Sequence, residues 1–158
     1  MCIRDRLNAL AEMPFSLPGC GPEEDLFSDF TMNPQDMEFE VVELESPRWQ
    51  LYLDIISSHN NLSSPGRNVR LAVLEKKTQK WVGFIRLGSP TIMMKPRNQL
   101  LGCVMTNELE TAQSFNRATA MGFVIVPAQP FGFNYLGGKL LAAICCSHEV
   151  RKMLDDKY

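Results

Sequence analysis

Gly122-Phe-Val-Ile-Val-Pro-Ala-Gln-Pro-Phe-Gly-Phe-Asn-Tyr-Leu-Gly-Gly-Lys-Leu-Leu-Ala-Ala-Ile144 is the stretch on which the reading of this chain turns. Phe123 to Val126 is a short apolar, β-branched run, which suits a strand buried on both faces. Pro127 and Pro130 stop its ladder, so residues 127–136 read as a Pro/Gly-rich turn. Leu140, Leu141, Ala143 and Ile144 recur at helical spacing, which opens a helix at Gly137-Gly138-Lys139. A strand that delivers a glycine turn onto a helix N-terminus makes an anion site, because free N–H groups and the positive end of the helix dipole converge there. The same pattern also fits a plain strand-to-helix turn whose glycines only permit tight packing.

Working outward, Asn107 to Ala120 reads as a helix ahead of that strand, and Ser147 as the cap of a last helix with Glu149 early and Arg151 and Lys152 later. Asn68 to Glu75 and Trp81 to Leu87 are two strands joined by the polar run Lys-Lys-Thr-Gln-Lys, a hairpin. Residues 91–106 form a connection with strand-like pieces around Ile92 and Leu100 to Met105. Ser46-Pro47 starts a helix, Ser as N-cap and Pro at the first helical position, that runs to about Ser58. His59 to Arg67 is a loop, and Phe39 to Leu44 a first strand. Residues 7–36 mix Pro, Gly and acids and read as an irregular leader with one helical turn near Glu23 to Phe30. The expectation is a single α/β (α+β) domain over 37–158, a mixed sheet flanked by helices.

Composition sets the bounds. A length of 158 residues allows one domain with a real core, and 45% hydrophobic with 22% charged residues is ordinary for a globular protein. No apolar run approaches the roughly 20 residues of a membrane span. The five cysteines show no metal or disulfide spacing, which points to a reducing, cytoplasmic setting. Cys145 and Cys146 sit in an apolar helix and read as core. The net charge of −2 hides an asymmetry: residues 7–47 carry ten acids and no base, whereas residues 48–139 carry eleven bases and four acids. A basic body fits an anionic partner, a nucleotide or nucleic acid, and also fits an ordinary solvated face that the acidic leader folds back to screen. Met1-Cys2-Ile3-Arg4-Asp5-Arg6 resembles the translation of a sequencing adapter and is set aside from fold reasoning. The stop at Lys157-Tyr158, straight after a charged helical stretch, reads as a domain cut short at its C-terminus.

Two resemblances add to these readings. The order β-α-β-β-α-β-α, ending in a strand that feeds a glycine turn and helix, resembles the Gcn5-related acetyltransferase fold. That likeness implies an acyl-CoA such as acetyl-CoA held by Val126, Asn134, Gly137, Gly138 and Lys139, although Asn134-Tyr-Leu-Gly-Gly-Lys139 places its base after the glycines rather than before them. More specifically, Gly83-Phe-Ile-Arg-Leu-Gly-Ser-Pro90, Lys95-Pro-Arg-Asn98, Leu101-Gly102, Asn116, Ile125-Val-Pro127 and Tyr135-Leu-Gly-Gly-Lys-Leu-Leu141 resemble the domain of the Druantia anti-phage protein A family and its phage-encoded relatives. That match spans roughly residues 59 to 150. It implies a bacterial host cell and kinship, at the level of fold, with acyltransferase-like DNA-modifying proteins of phages. By position it carries over Ser89, Arg97, Asn98, Gly102, Asn116 and Pro127 as family-like residues, and Arg67 joins them as a substrate-side base.

Each candidate has a plainer alternative. Arg97 is planar and permanently charged, suited to a phosphate or to a surface ion pair. Asn98 contacts substrate or caps a turn, and Asn116 touches substrate or orients its neighbouring strand. His59, a loop histidine, is a candidate general base or merely exposed. Tyr135 is a candidate acid for a leaving thiolate or a packed aromatic. No metal site is defensible. The function expected is an acyltransferase-like domain acting on nucleic acid or nucleotide. The alternative is a nucleic-acid-binding module without catalysis, resting on Arg67, Arg70, Arg86, Lys95 and Arg97.

Overall fold

In a computed structural model of the chain, residues 25–58, 66–91, 93–102 and 109–158 are described. Four strands, β1 (Phe39–Glu43), β2 (Asn68–Glu75), β3 (Lys80–Gly88) and β4 (Met121–Pro127), form one sheet in sequence order. Every neighbouring pair is antiparallel. The α/β class and all four expected strands are present, but the mixed sheet is not: the parallel pairing found among the described residues is an isolated bridge between Leu26 and Trp81.

Alternation along the strands builds two cores. On one face Val69, Leu71, Val73, Val82, Ile85 and Leu87 pack against α4 (Gln129–Asn134), α5 (Gly137–Cys145) and α6 (His148–Lys157) through Phe131, Leu141 and Val150. On the other face Ala72, Phe84 and Val124 meet α1 (Ser46–Ile56). Trp49, Tyr52 and Leu53 are spaced one helical turn apart and form the buried stripe of α1. The Trp49 indole N–H donates to the Leu71 carbonyl at 3.1 Å, so its polar atom is satisfied inside the core. Pairing slips between Val73 and Leu74, opposite Val82, and this bulge turns Trp81 and Phe84 to the same face.

Several expectations need correction. The leader is not wholly irregular, because Phe27 is fully buried and its N–H donates to the Trp81 carbonyl at 2.9 Å. Residues 25–27 thereby occupy the edge of β3 just beyond the point where β4 leaves it. The helical turn expected near Glu23 to Phe30 falls partly outside the described residues, which begin at Asp25; among the described residues of the leader a 3-10 turn lies at Pro34–Asp36, where the Asn33 side chain accepts from the Gln35 N–H. β4 is not buried on both faces: among the described residues it is the outer strand, and Ile125 is 37% exposed. The connection after β3 contains a helix, α2 (Lys95–Leu100), which ends at Leu100, where a strand-like piece was expected to begin; Ile92 and residues 103–105 lie outside the described residues. The supposed Pro/Gly turn contains the short helix α4. In α1 the N-cap is Glu45 rather than Ser46, a shift of one residue. The helix expected before β4 is α3 (Leu109–Ala118), and Ser147 caps α6 as expected, its hydroxyl accepting from the Val150 N–H at 3.2 Å. Cys145 is half-buried, and burial, then the neighbouring Cys146, pushes its thiol up to about 11; Cys146 is exposed rather than core.

Candidate functional site

The residues expected to hold a cofactor sit together at one end of β4. Val126 is half-buried and pairs with Phe84, and Pro127 closes the strand opposite Gly83. The Ala128 N–H then donates to the Val82 carbonyl at 2.9 Å, beside the bulge, and the chain turns into α4, which Asn134 ends. Leu136 takes a left-handed conformation, φ 53°, that swings the backbone into α5. Its carbonyl accepts from the Lys139 and Leu140 N–H groups at 2.9 and 3.4 Å. The amides one turn earlier, those of Gly137 and Gly138, have no hydrogen-bond acceptor among the described residues. These are the orphan donors of a helix start.

The two glycines differ in what surrounds them. A methyl group on Gly137 would lie 2.3 Å from the Phe131 ring, so the inner side of the bend is filled. Phe131 is itself fully buried, edge-on to Phe27 and Phe39 and stacked on Tyr135. Around the corresponding position on Gly138, apart from its chain neighbours and its own helix backbone, no atom of the described residues lies within 4 Å, and Lys139 beside it is exposed. What remains is a one-sided cradle: two amides, the positive end of a nine-residue helix and a lysine, with open approach at Gly138. Tyr135 does not reach into it. Its hydroxyl donates to the Asp29 carbonyl at 3.1 Å, and its ring belongs to the aromatic cluster. His59 lies outside the described residues.

The substrate-side residues gather at the opposite end of β4. The Ser89 hydroxyl accepts from the Arg67 N–H at 2.9 Å, and the Ser89 N–H donates to the Arg67 carbonyl at 3.1 Å. The Ser-Pro step is therefore a clasp that closes the β3 end onto the segment entering β2. The Arg67 guanidinium donates to the carbonyls of Asn116 and of Thr119, the latter at 2.5 Å, placing a cation at the C-terminus of α3. Arg67, Ser89 and Asn116 are thus brought together. Arg97 and Asn98 pair on α2: the guanidinium donates to the Asn98 side-chain oxygen at 3.1 and 2.8 Å and lies 4.7 Å from the centre of the Phe115 ring of α3. Gly102 is left-handed, φ 65°, and its N–H donates to Gln99, so it terminates α2.

Sequence reasoning missed a buried polar group on the α1 face. Asp25 is 1% exposed and accepts from the Tyr52 hydroxyl at 2.5 Å. Burial, then the bond to Asp25, pushes the Tyr52 hydroxyl up to about 12. The second Asp25 oxygen and the Trp81 indole N–H are buried without a partner among the described residues. A lone acid within an acidic run gives no signal for such a role. Arg70 and Arg86 are cross-strand neighbours; Arg86 is buried and donates to the Asn68 side chain at 3.2 Å, and burial, then Arg70, lowers its pKa. Among the described residues no group of three or more His, Cys, Asp or Glu side chains is arranged to hold a metal ion, and no helix is long and apolar enough to cross a membrane.

The model of one protein family, described as Druantia protein DruA, matches residues 25–158, and the chain belongs to that family. No curated protein and no solved structure matched it.

Proposed function

Taking membership of the Druantia protein DruA family as the premise, we propose that this chain is an acyltransferase-like domain of an anti-phage defence protein. In this reading it has a Gcn5-related acetyltransferase-like fold and acts on nucleic acid or nucleotide. The observation that carries the reading is the cradle at the start of α5, where, among the described residues, the Gly137 and Gly138 amides lack acceptors and nothing crowds the approach at Gly138. Those groups fit the pyrophosphate of an acyl-CoA, with Gly137, Gly138 and Lys139 holding it and the outer strand β4 alongside. When bound, such a cofactor supplies an acyl group activated as a thioester. The chain's own residues bind and orient: the helix start and Lys139 attract the anion, and the Phe131–Tyr135 cluster backs the bend and excludes water from its inner side.

Isothermal titration calorimetry with acetyl-CoA, with adenosine diphosphate as comparison, tests this. Binding that Lys139→Glu weakens supports the reading, and an absence of heat with acetyl-CoA at millimolar concentration sinks it. A second reading, a nucleic-acid-binding module without catalysis, is favoured by one observation. The Tyr135 hydroxyl and the Arg67 guanidinium are already bonded to main-chain carbonyls. It predicts strand binding with no acetyl-CoA heat.

A further inference from the structure

A cleft of about 420 Å³ opens where the C-terminus of α3, the α5–α6 junction and α6 meet, with Arg67, Arg117, Arg151 and Asp155 among its walls. A second depression runs along α3 beside Gln113, Ser114 and Arg117. Arg117 and Ala118 line both, so the two depressions adjoin at Arg117.

The charge along this groove is unbalanced. Arg117 is exposed and has no hydrogen-bond or ion-pair partner among the described residues. Arg151 and Asp155 lie 3.8 Å apart, one turn from each other on the surface of α6, a pair of little energetic weight. The Arg67 guanidinium is held by neutral carbonyls, which orient it without cancelling its charge. Among the described residues, three guanidinium groups from three separate elements therefore line the cleft with one carboxylate.

We infer that this groove carries the phosphodiester backbone of a single nucleic-acid strand. A strand fits better than a lone nucleotide because the groove spans two depressions with Arg117 at their junction. Ser114 and Gln113 supply neutral hydrogen-bonding groups along its floor, as sugar–phosphate contacts require. Among the described residues no aromatic side chain lines either depression, which favours binding through phosphates, independent of base sequence. The inference rests on the nucleic-acid part of the proposed function and is independent of the cofactor cradle at the other end of α5.

Fluorescence anisotropy of the full chain with a labelled oligothymidylate at low salt tests it. Arg117→Glu combined with Arg151→Glu is expected to weaken binding at least about tenfold and to flatten the log–log salt dependence by roughly 1.4, two phosphates at about 0.7 each. Lys76→Glu with Lys77→Glu, exposed in the β2–β3 turn, changes the net charge equally and is expected to move affinity less than about twofold. The milder pair Arg117→Gln with Arg151→Gln, checked by its melting curve, guards against misfolding and is expected to weaken binding as well. The inference is overturned by any of four results: no binding by the wild type, equal losses in the groove and turn variants, unchanged binding in folded groove variants, or competition by a mononucleotide as strong as by the strand. Retention of acetyl-CoA heat alongside such a result leaves the cradle standing and removes only the groove.

Discussion

Gly137→Ala and Gly138→Ala each add one methyl group to adjacent turns of backbone, and their surroundings set opposite signs. On Gly137 the new carbon falls 2.3 and 2.7 Å from two atoms of the Phe131 ring and 3.1 Å from the Phe131 carbonyl oxygen. The ring has nowhere to retreat, being fully buried between Phe27 at 5.5 Å, Tyr135 at 5.6 Å and Phe39 at 5.9 Å, centre to centre. Overpacking of this kind costs about 1–3 kcal/mol, and the gain of alanine over glycine in a helix returns at most about 1 kcal/mol. With the full helix gain subtracted the net loss reaches roughly 2 kcal/mol, a fall in Tm of up to about 8 °C for a domain of this size. On Gly138 the new carbon meets no atom of the described residues within 4 Å beyond its own stretch of backbone, so the helix propensity decides and the variant is expected to melt at or slightly above the wild type. Thermal unfolding followed by circular dichroism separates the two. A Gly137→Ala protein that melts as high as Gly138→Ala refutes the packing argument. The binding result runs the other way: Gly138→Ala keeps the fold but places a methyl group on the open side of the cradle, and acetyl-CoA affinity is expected to fall about tenfold, ~1.4 kcal/mol.

Phe27→Ala removes a fully buried ring that bridges the segment before β1 to Phe131 and Tyr135, and is expected to cost about 3–5 kcal/mol in urea denaturation; a loss under about 1 kcal/mol would mean residues 25–27 are not part of the core. Tyr52 has its hydroxyl raised from 10.0 to about 12 by burial and then by Asp25, so the unfolded chain ionises first. Its stabilising effect is complete below pH 10 and is lost as pH rises through about 12. Tyr52→Phe should therefore flatten the stability curve above pH 10, and an identical slope in both proteins rejects the assignment. Arg67→Gln withdraws the cation from the carbonyls of Asn116 and Thr119, and hydrogen exchange in residues 112–118 is expected to speed up about five- to thirtyfold, ~1–2 kcal/mol. Unchanged exchange there would show that Arg67 does not hold the end of α3.

The parts of the fold that repeat a local rule were legible in the sequence. The β2–β3 hairpin alternates around a polar turn, and α1 shows its apolar stripe at Trp49, Tyr52 and Leu53. Three helices start with a proline in the first turn, at Pro47, Pro96 and Pro130. Only the first was read as a start, because Ser46 precedes it. Pro130 read as a stop and Pro96 was not read as a helix start, although a proline costs nothing where the helix has no acceptor for its N–H. α2 and α4 were lost for that reason. Phe27 was invisible because its burial depends on a single bridge to Trp81, a contact across more than fifty residues with no periodicity behind it. At the site, Arg67, Ser89 and Asn116 were singled out separately, and the structure joins them through main-chain bonds that no spacing encodes. Arg117 and Arg151 were not singled out as a pair, because they come from different helices and line one cleft only in the folded chain.

The seating of α5 has a geometric consequence. Leu141, near its middle, is fully buried against Gly83, where even one extra carbon would come within 2.4 Å of the leucine side chain. Nine residues at about 1.5 Å each make a rod of roughly 13 Å, clamped at its waist, with Gly137 at one tip and Cys145 at the other. The rod acts as a caliper. On the function proposed above, a donor held at the first tip would reach an acceptor beside the second only through an arm of about that length, so that reach would be a selection rule set by the helix rather than by either binding surface.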